Sequence, residues 1–365
     1  MNAPPPVSTR LTGHLGVITL NRPRAINALT TEMVRIMQQV LDLWAATDRV
    51  RTVLLTGAGE RGLCAGGDIR AIHADAVSGG SASLDFWARE YRLNAAIARY
   101  RKPIVAWMDG LVMGGGIGIS AHAGVRIVTE RSRLAMPEVG IGFHPDIGGS
   151  WLLSHAPGQV GTHLALTGTS IGAADAVHAG LADHFVPAEQ LARLAGALAD
   201  ADADGAVASY ALCPPEGELA ACREWIDRCY AADSVPEILD RLRSDPAPAA
   251  RAAAEEIAAR SPTALVVTLR SLRTAAGLPS LEAALEQEYR LSAAMLRSAD
   301  FAEGVRAQII DKDRSPRWKP ASLAGVDVDT IAGYFAPTAD DLDLTATGPR
   351  RSSDLSLPAP PHVGS

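Results

Sequence analysis

Two carboxylates, Glu138 and Asp146, lie in the segment MPEVGIGFHPDIGG, between a strand and a glycine pair. The glycines between them allow both side chains to converge on one pocket. There one could serve as nucleophile or base while the other orients water or substrate. Upstream, Gly114-Gly115-Gly116 separates an apolar strand, Ile104 to Met108, from a small-residue helix, Ile117 to Ala123. Glycines there leave no Cβ to keep a ligand off the backbone. The first N–H groups of the helix have no internal partners and sit at the positive end of its dipole. This corner suits an anion, including the oxyanion of an attacked ester or thioester. A second corner of the same kind comes earlier. The strand Val53-Leu54-Leu55-Thr56 runs into Gly57-Ala58-Gly59 and then Leu63-Cys64-Ala65-Gly66-Gly67-Asp68-Ile69. Each corner could give one N–H to a shared oxygen, and an oxyanion hole needs two such donors. Taken alone, the turns equally serve tight helix–strand packing, and a Glu and an Asp in a loop equally serve as surface charges.

The elements that must position these groups follow from pattern. Gly16 to Leu20 reads as a strand ended by Arg22-Pro23. Thr30 or Thr31 caps a helix that runs to about Thr47, with Met33, Ile36, Met37, Val40, Leu41 and Trp44 at helical spacing. Val50 to Thr56 is the next strand, and Val125 to Thr129 another. Ile69 to Ala76 reads as helical or mobile, and Gly79-Gly80-Ser81 as a lid or a surface loop. Ser83 to Tyr100 is a helix carrying Trp87, Glu90, Tyr91 and Asn94. Helices follow over Thr162 to Thr167 and Ala173 to Gly180, and a short strand over Ala182 to Val186. Successive helices fill Glu189 to Arg260, with stronger candidates at Thr263 to Arg273 and Ser280 to Arg297. The alternation predicts a layered α/β fold with mostly parallel pairing, doubly wound by sequence rules alone.

The 365 residues carry a net charge of −7 and no dense basic run. Nucleic acid and anionic membrane are therefore poor partners. No run of about 18 apolar residues predicts a transmembrane helix. The four cysteines have no zinc spacing and suit a reduced cytoplasm. Cys64 reads as a small packed residue. The nine histidines are scattered with no ligand spacing, so no metal is expected. Residues 1–10 read as a flexible lead and 338–365, polar and proline-rich, as a disordered tail.

The runs CAGGDI, MGGGIGIS and MPEVGIGFHPDIGG resemble the crotonase, or enoyl-CoA hydratase/isomerase, superfamily. Glu288-Tyr289-Arg290-Leu291-Ser292 and the run DKDRSPRWKP at Asp311 to Pro320 are similar to its 3-hydroxyisobutyryl-CoA hydrolase branch. The resemblance implies a spiral of ββα units over residues 11–187 and a helical region over 188–337. It implies an acyl-CoA substrate, no separate cofactor, and an assembly that is in some members a homo-oligomer. By the same resemblance, Gly67 and Gly115 supply the oxyanion amides. Glu138 is the common family carboxylate, Asp146 the one that marks the hydrolase, and Glu90 a substrate contact. Ala65, Gly66, Asp68, Gly114, Arg24 and Asn27 line the substrate groove, with Arg24 near a phosphate, and His144 forms pocket wall. Hydratases of the superfamily carry a first glutamate at the position of Gly118. Its lack here favours thioester hydrolysis, with Glu138 attacking the carbonyl or activating water. An enoyl-CoA hydratase or isomerase, and a non-catalytic CoA-ester scaffold, are the alternatives.

Overall fold

The computed structural model describes residues 4–338 and 340–344. Strands β2 (Leu15–Leu20) and β3 (Thr52–Gly57) are short apolar runs buried on both faces, as strands of a covered parallel sheet are. Between them α1 (Thr31–Ala45) is capped by Thr30, whose hydroxyl accepts from the Met33 N–H. The helix buries Met33, Met37, Leu41 and Trp44. The main sheet has the order β1-β2-β3-β4-β6-β8, where β1 is Val7–Thr12, β4 Ile104–Met108, β6 Val125–Val128 and β8 His184–Phe185. Only β1 is antiparallel to its neighbour.

A second, two-stranded parallel sheet pairs β5 (Leu111–Met113) with β7 (Arg133–Ala135). Single bridges extend it, Cys64 to Val112 and Leu134 to Ile171. Each long strand thus feeds a short one in a second layer before its helix. β4, β5 and α4 (Gly115–Ser120) form one such unit. This is the ββα spiral that the resemblance implied, and the doubly wound arrangement is set aside. Three-residue strands such as β5 and β7 are too short for alternation to register in sequence.

Helices α2 (Ile69–Ser78) and α3 (Ala82–Ala98) lie between β3 and β4. After β7 come a 3-10 turn at Glu138–Ile141, α5 (Gly149–Ser154), α6 (Val160–Thr167) and α7 (Ala173–His178). The rest is helical: α8 (Leu191–Asp200), α9 (Ala203–Ala208), α10 (Leu219–Tyr230), α11 (Val235–Ser244), α12 (Pro248–Ala258), α13 (Pro262–Ala275), α14 (Leu281–Leu296), α15 (Ala299–Val305) and α16 (Val328–Tyr334). The starts of α11, α13, α14 and α15 are set by Ser234, Ser261, Ser280 and Ser298, each accepting from an N–H three residues on. A π-helical turn, Arg306–Ile310, ends α15.

The expected boundaries need correction at three places. Residues 1–10 are not all a loose lead, because β1 begins at Val7, which is buried and pairs with Leu20. Residue 188 is no break in the core. Leu191, Leu194 and Leu198 of α8 pack on Leu15, Val17, Leu54 and Val105 at one sheet face. On the other face a single apolar cluster runs from Val7 to Leu342. Finally, the expected tail starts as packed chain, with Leu342 buried and Asp341 paired to Arg290 at 2.7 Å. Its continuation from 345 onward lies outside the described residues.

Candidate active site

The two glycine corners meet. Gly66 and Gly114 both hold positive φ, +104° and +46°, which only glycine adopts at little cost. A Cβ built on Gly115 would lie 3.3 Å from the Gly67 nitrogen, and one on Gly66 would lie 3.7 Å from the Gly115 nitrogen. Neither the Gly67 nor the Gly115 N–H has a hydrogen-bond acceptor among the described residues. Two unpaired amides side by side, that of buried Gly115 and that of half-buried Gly67, are costly unless a ligand or water uses them.

They border a cavity of ≈ 360 Å³. Ala65, Gly66, Gly67, Gly114 and Gly115 form one side, and Glu90, Glu138 and Asp146 reach in from the others. Glu90 comes from α3, Glu138 from the first residue of the 3-10 turn, and Asp146 from the loop before α5. Glu138 Oε1 lies 3.1 Å from where a Gly114 Cβ would stand, while Glu138 Oε2 and Glu90 Oε1 have no partner. Phe86, Trp87, Phe143 and Phe301 supply the apolar wall. Trp87 stacks on Phe143 at 5.3 Å.

The carboxyls share a low-dielectric site with little cationic relief. Arg260 is the one cation on the cavity wall among the described residues, and it is spent on the Thr167 carbonyl. Burial, then the Asp146 charge, pushes Glu138 and Glu90 well above the usual carboxylate range. Burial pushes Asp146 itself to about 7, against a hydroxyl bond from Tyr91 that pulls it down. The Cys64 thiol is pushed up to about 12, chiefly by burial. That suits a packed residue, not a nucleophile.

These shifts fix a pH dependence of stability. Asp146 and Glu288 keep a proton in the fold up to about 7 and about 8, above the ordinary 3.8 and 4.5. Between those limits the folded state binds more protons than the unfolded, so stability falls as pH rises. Buried His122, His144 and His163 act the other way, depressed by burial to about 4, 3 and 4 from 6.5. They cost stability only as pH drops below that ordinary value. The melting temperature is therefore expected to fall between pH 6.5 and about 8.5, where of these shifted groups only the carboxyls still titrate in the fold. Asp146→Asn should flatten that slope, and an unchanged slope would remove Asp146 from it.

Four residues expected to touch substrate do not border this cavity. Asn27 does not border the cavity. Its side chain is fully buried and donates to the carbonyls of Ala58, Gly62 and Leu63 at 3.0, 3.2 and 3.1 Å. It also accepts from the Arg22 N–H at 2.9 Å. Asn27 staples the first glycine corner. Asn27→Ala should cost about 2–3 kcal/mol in a denaturant titration, since it strands buried carbonyls. Asp68 occupies the N-cap position of α2 without a side-chain cap bond, and its carboxylate pairs with Arg22 at 3.0 Å. Arg24 is exposed, with its carbonyl taken by Arg61. His144 is fully buried behind the wall, against Pro145 and Ser292.

Other neighbours carry no local sequence signal. Gln308 and Ile309 of the π turn and Phe301 of α15 close the far side of the cavity. The DKDRSPRWKP run straps this turn in place. Arg306 binds Asp311 and Asp313, the Lys319 N–H donates to Asp300 at 2.6 Å, and Trp318 donates to the Ala259 carbonyl. Glu288 and Ser292, one helical turn apart on α14, are the exception, since their spacing could have marked a common face.

Gly118 lies just behind the cavity. A Cβ there would stand 2.7 Å from Ile147 Cβ and 3.0 Å from Asn94 Nδ2. Ile147 is held at φ +56°, a strained conformation for a β-branched residue. Its carbonyl bonds His122 at 2.8 Å. A glutamate side chain has no room at position 118.

Comparison with known proteins agrees with this architecture. The family model described as enoyl-CoA hydratase/isomerase matches residues 15–335. A mitochondrial 3-hydroxyisobutyryl-CoA hydrolase of Danio rerio is 42% identical over 91% of this chain and 89% of its own length. The Rattus norvegicus protein of the same name is 41% identical over 88% of this chain and 86% of its own. Among solved structures, a carnitinyl-CoA dehydratase from Mycobacterium thermoresistibile superposes with a TM-score of 0.90 at 51% identity, covering 93% of this chain and 99% of that one. Spiral, paired glycine corners and family match coincide: this chain belongs to the enoyl-CoA hydratase/isomerase family.

Proposed function

We propose that the chain hydrolyses short 3-hydroxyacyl-CoA thioesters, with 3-hydroxyisobutyryl-CoA, an intermediate of valine breakdown, as the leading substrate. The observation that carries this reading is the set of groups around the cavity. Two unpaired amides adjoin Glu138 and Asp146, while the position of a hydratase's first glutamate is filled by Ile147 and Asn94. Two amides and a carboxylate are enough to cleave a thioester. Hydration of a C=C bond by two glutamates lacks one of them.

In this mechanism the thioester oxygen sits between the Gly67 and Gly115 N–H groups, which stabilise the charge that grows as the carbonyl is attacked. Glu138, next to the amides, attacks the carbonyl carbon or takes a proton from the attacking water. CoA leaves as the thiolate and takes up the proton released by water. On the nucleophilic route water then hydrolyses the mixed anhydride on Glu138, which frees the acid and restores the carboxylate. Asp146 orients water or the substrate's 3-hydroxyl. No cofactor takes part beyond the CoA of the substrate. The four described cysteines are free, which fits a reducing compartment such as the cytoplasm.

The enoyl-CoA hydratase reading has support from the dehydratase among the structural neighbours, and one experiment separates the two. Purified protein is offered 3-hydroxyisobutyryl-CoA with a chromogenic disulfide, and crotonyl-CoA with absorbance monitored. Thiol release without loss of enoyl absorbance is expected. The reverse outcome would make the protein a hydratase, and CoA-ester binding with neither signal would make it a scaffold.

A further inference from the structure

Asp146 heads a buried chain of side chains that the mechanism above does not use. Asp146 Oδ2 lies 2.6 Å from Tyr91 Oη on α3. Tyr91 Oη lies 2.8 Å from Ser292 Oγ on α14. Ser292 Oγ lies 3.2 Å from His144 Nε2, and His144 Nδ1 lies 3.0 Å from the Pro145 carbonyl. Tyr91, Ser292 and His144 are wholly buried.

We propose that Tyr91, Ser292 and His144 are positioning residues whose hydrogen-bond direction keeps the proton of the active-site carboxylate pair on Asp146, leaving Glu138 as the ionised partner. The proposal takes its catalytic meaning from the hydrolase reading, but its geometry stands apart from it.

The direction is set at the far end. A carbonyl only accepts, so the Pro145 oxygen calls for an N–H at Nδ1. In the neutral imidazole Nε2 is then an acceptor, and Ser292 must donate to it. Ser292 thereby turns a lone pair toward Tyr91, so Tyr91 must donate to Ser292. A lone pair of Tyr91 now faces Asp146, and only a protonated Oδ2 can satisfy it. Every group in this arrangement is paired.

Ionising Asp146 reverses the chain. Tyr91 swings to donate to the carboxylate, Ser292 donates to Tyr91, and the imidazole must carry its proton at Nε2. Nδ1 then sets a lone pair against the Pro145 carbonyl, a buried unpaired contact. The Glu288 carbonyl also borders the ring and its second lone pair can take an N–H. It already accepts the Ser292 N–H within α14, however, whereas the Pro145 carbonyl has no other donor among the described residues. The Nδ1–H tautomer is therefore the one that leaves neither carbonyl unpaired.

The other carboxyls around Asp146 compete with it for the proton, since a charge on Asp146 raises Glu138, Glu90 and Glu288, and the hydrogen-bond chain is what decides in favour of Asp146. Glu138 reaches from the 3-10 turn, Glu90 from α3 and Glu288 from α14, all carboxyls. His122 touches the adjacent Ile147 carbonyl and is held neutral by burial. Glu288 accepts from the Gly148 and Ser150 N–H groups at 2.6 and 2.9 Å and from the Ser150 hydroxyl at 2.5 Å, so it fixes the loop's backbone. Tyr91 is the sole hydrogen-bonding side chain on the Asp146 carboxyl among the described residues.

The chain predicts opposite effects at its two ends, which loosened packing would not give. Ser292→Ala or His144→Phe frees Tyr91 to donate to the carboxylate and favours the anion. Tyr91→Phe removes that donor and disfavours it. The test is a pH titration of protein labelled with ¹³C at the aspartate carboxyls, with the Asp146 signal assigned by Asp146→Asn. Ser292→Ala and His144→Phe should each lower the Asp146 midpoint by about one pH unit, and Tyr91→Phe should raise it by about as much. Ser292→Thr, which keeps the hydroxyl, should titrate like the parent. The alkaline limb of kcat for thiol release should move with the midpoint in each variant.

Shifts of one common sign, or no shift, would overturn the chain. If Ser292→Ala does not fold, His144→Phe carries the same expected sign. Opposite shifts in a protein that releases no thiol would leave the proton assignment standing and remove the hydrolase reading. Thiol release with shifts of one sign would do the reverse.

Discussion

Glu138→Gln is expected to lower kcat for thiol release by about 10³-fold while leaving acyl-CoA binding within about threefold. The substitution is isosteric, so the cavity keeps its shape, and what it removes is the charge beside the amides. Glu138 is buried and its Oε2 meets no protein donor. Its carboxylate is therefore unspent, as is that of Glu90, whose Oε1 also lacks a partner. Asp146 is engaged by Tyr91, and Glu90 Oε1 stands 2.5 Å from where a Gly115 Cβ would lie. Binding is measured with a non-hydrolysable thioether analogue, and turnover with the hydrolase substrate. Turnover at parental rates would exclude Glu138 as either nucleophile or base.

Gly115→Ala should reduce kcat by about 10²- to 10³-fold, the range for loss of one oxyanion donor. The new methyl would lie 2.5 Å from Glu90 Oε1, 3.1 Å from Leu29 Cδ1 and 3.3 Å from the Gly67 nitrogen. It enters the space where the two amides converge, so it displaces the oxygen they would share. Glu90 must also move, and it is buried without a partner to guide it. Helix propensity favours alanine over glycine, so a fall in activity with little fall in melting temperature is the expected pairing. Gly124→Ala serves as control, since a Cβ there meets nothing within 4 Å. Equal losses in the two variants would mean that the effect has nothing to do with the amides.

What could be read from sequence was chiefly backbone chemistry. The glycine corners announce themselves because only glycine tolerates the φ values found at Gly66 and Gly114. Thr30 and Ser280 marked helix starts that the structure repeats. The sites of Glu90, Glu138 and Asp146 followed from the resemblance, and the fold brings all three to one cavity. Side-chain destinations were less legible. Asp68 and His144 stand close in sequence to cavity residues, yet each turns away to satisfy backbone or a charge, and Asn27, distant from them in sequence, is spent on buried carbonyls. A residue's neighbour in sequence points to another side of its element as often as not. The three-residue strands β5 and β7 were missed for want of length. The far wall, Phe301 with Gln308 and Ile309, depends on chain closure over most of the protein, which no local pattern encodes.

That far wall also bears on how such a protein can change its diet. The groups proposed to break the bond all belong to the first half of the chain, whereas Phe301 and the strapped π turn that shut the acyl chamber belong to the last fifth or so. Reaction and taste are thus written in separate passages of one polypeptide. Substitutions between Phe301 and Ile309 can enlarge or reshape the chamber without disturbing a single reacting atom, which leaves the late segment free to drift toward other acyl groups under a constant chemistry.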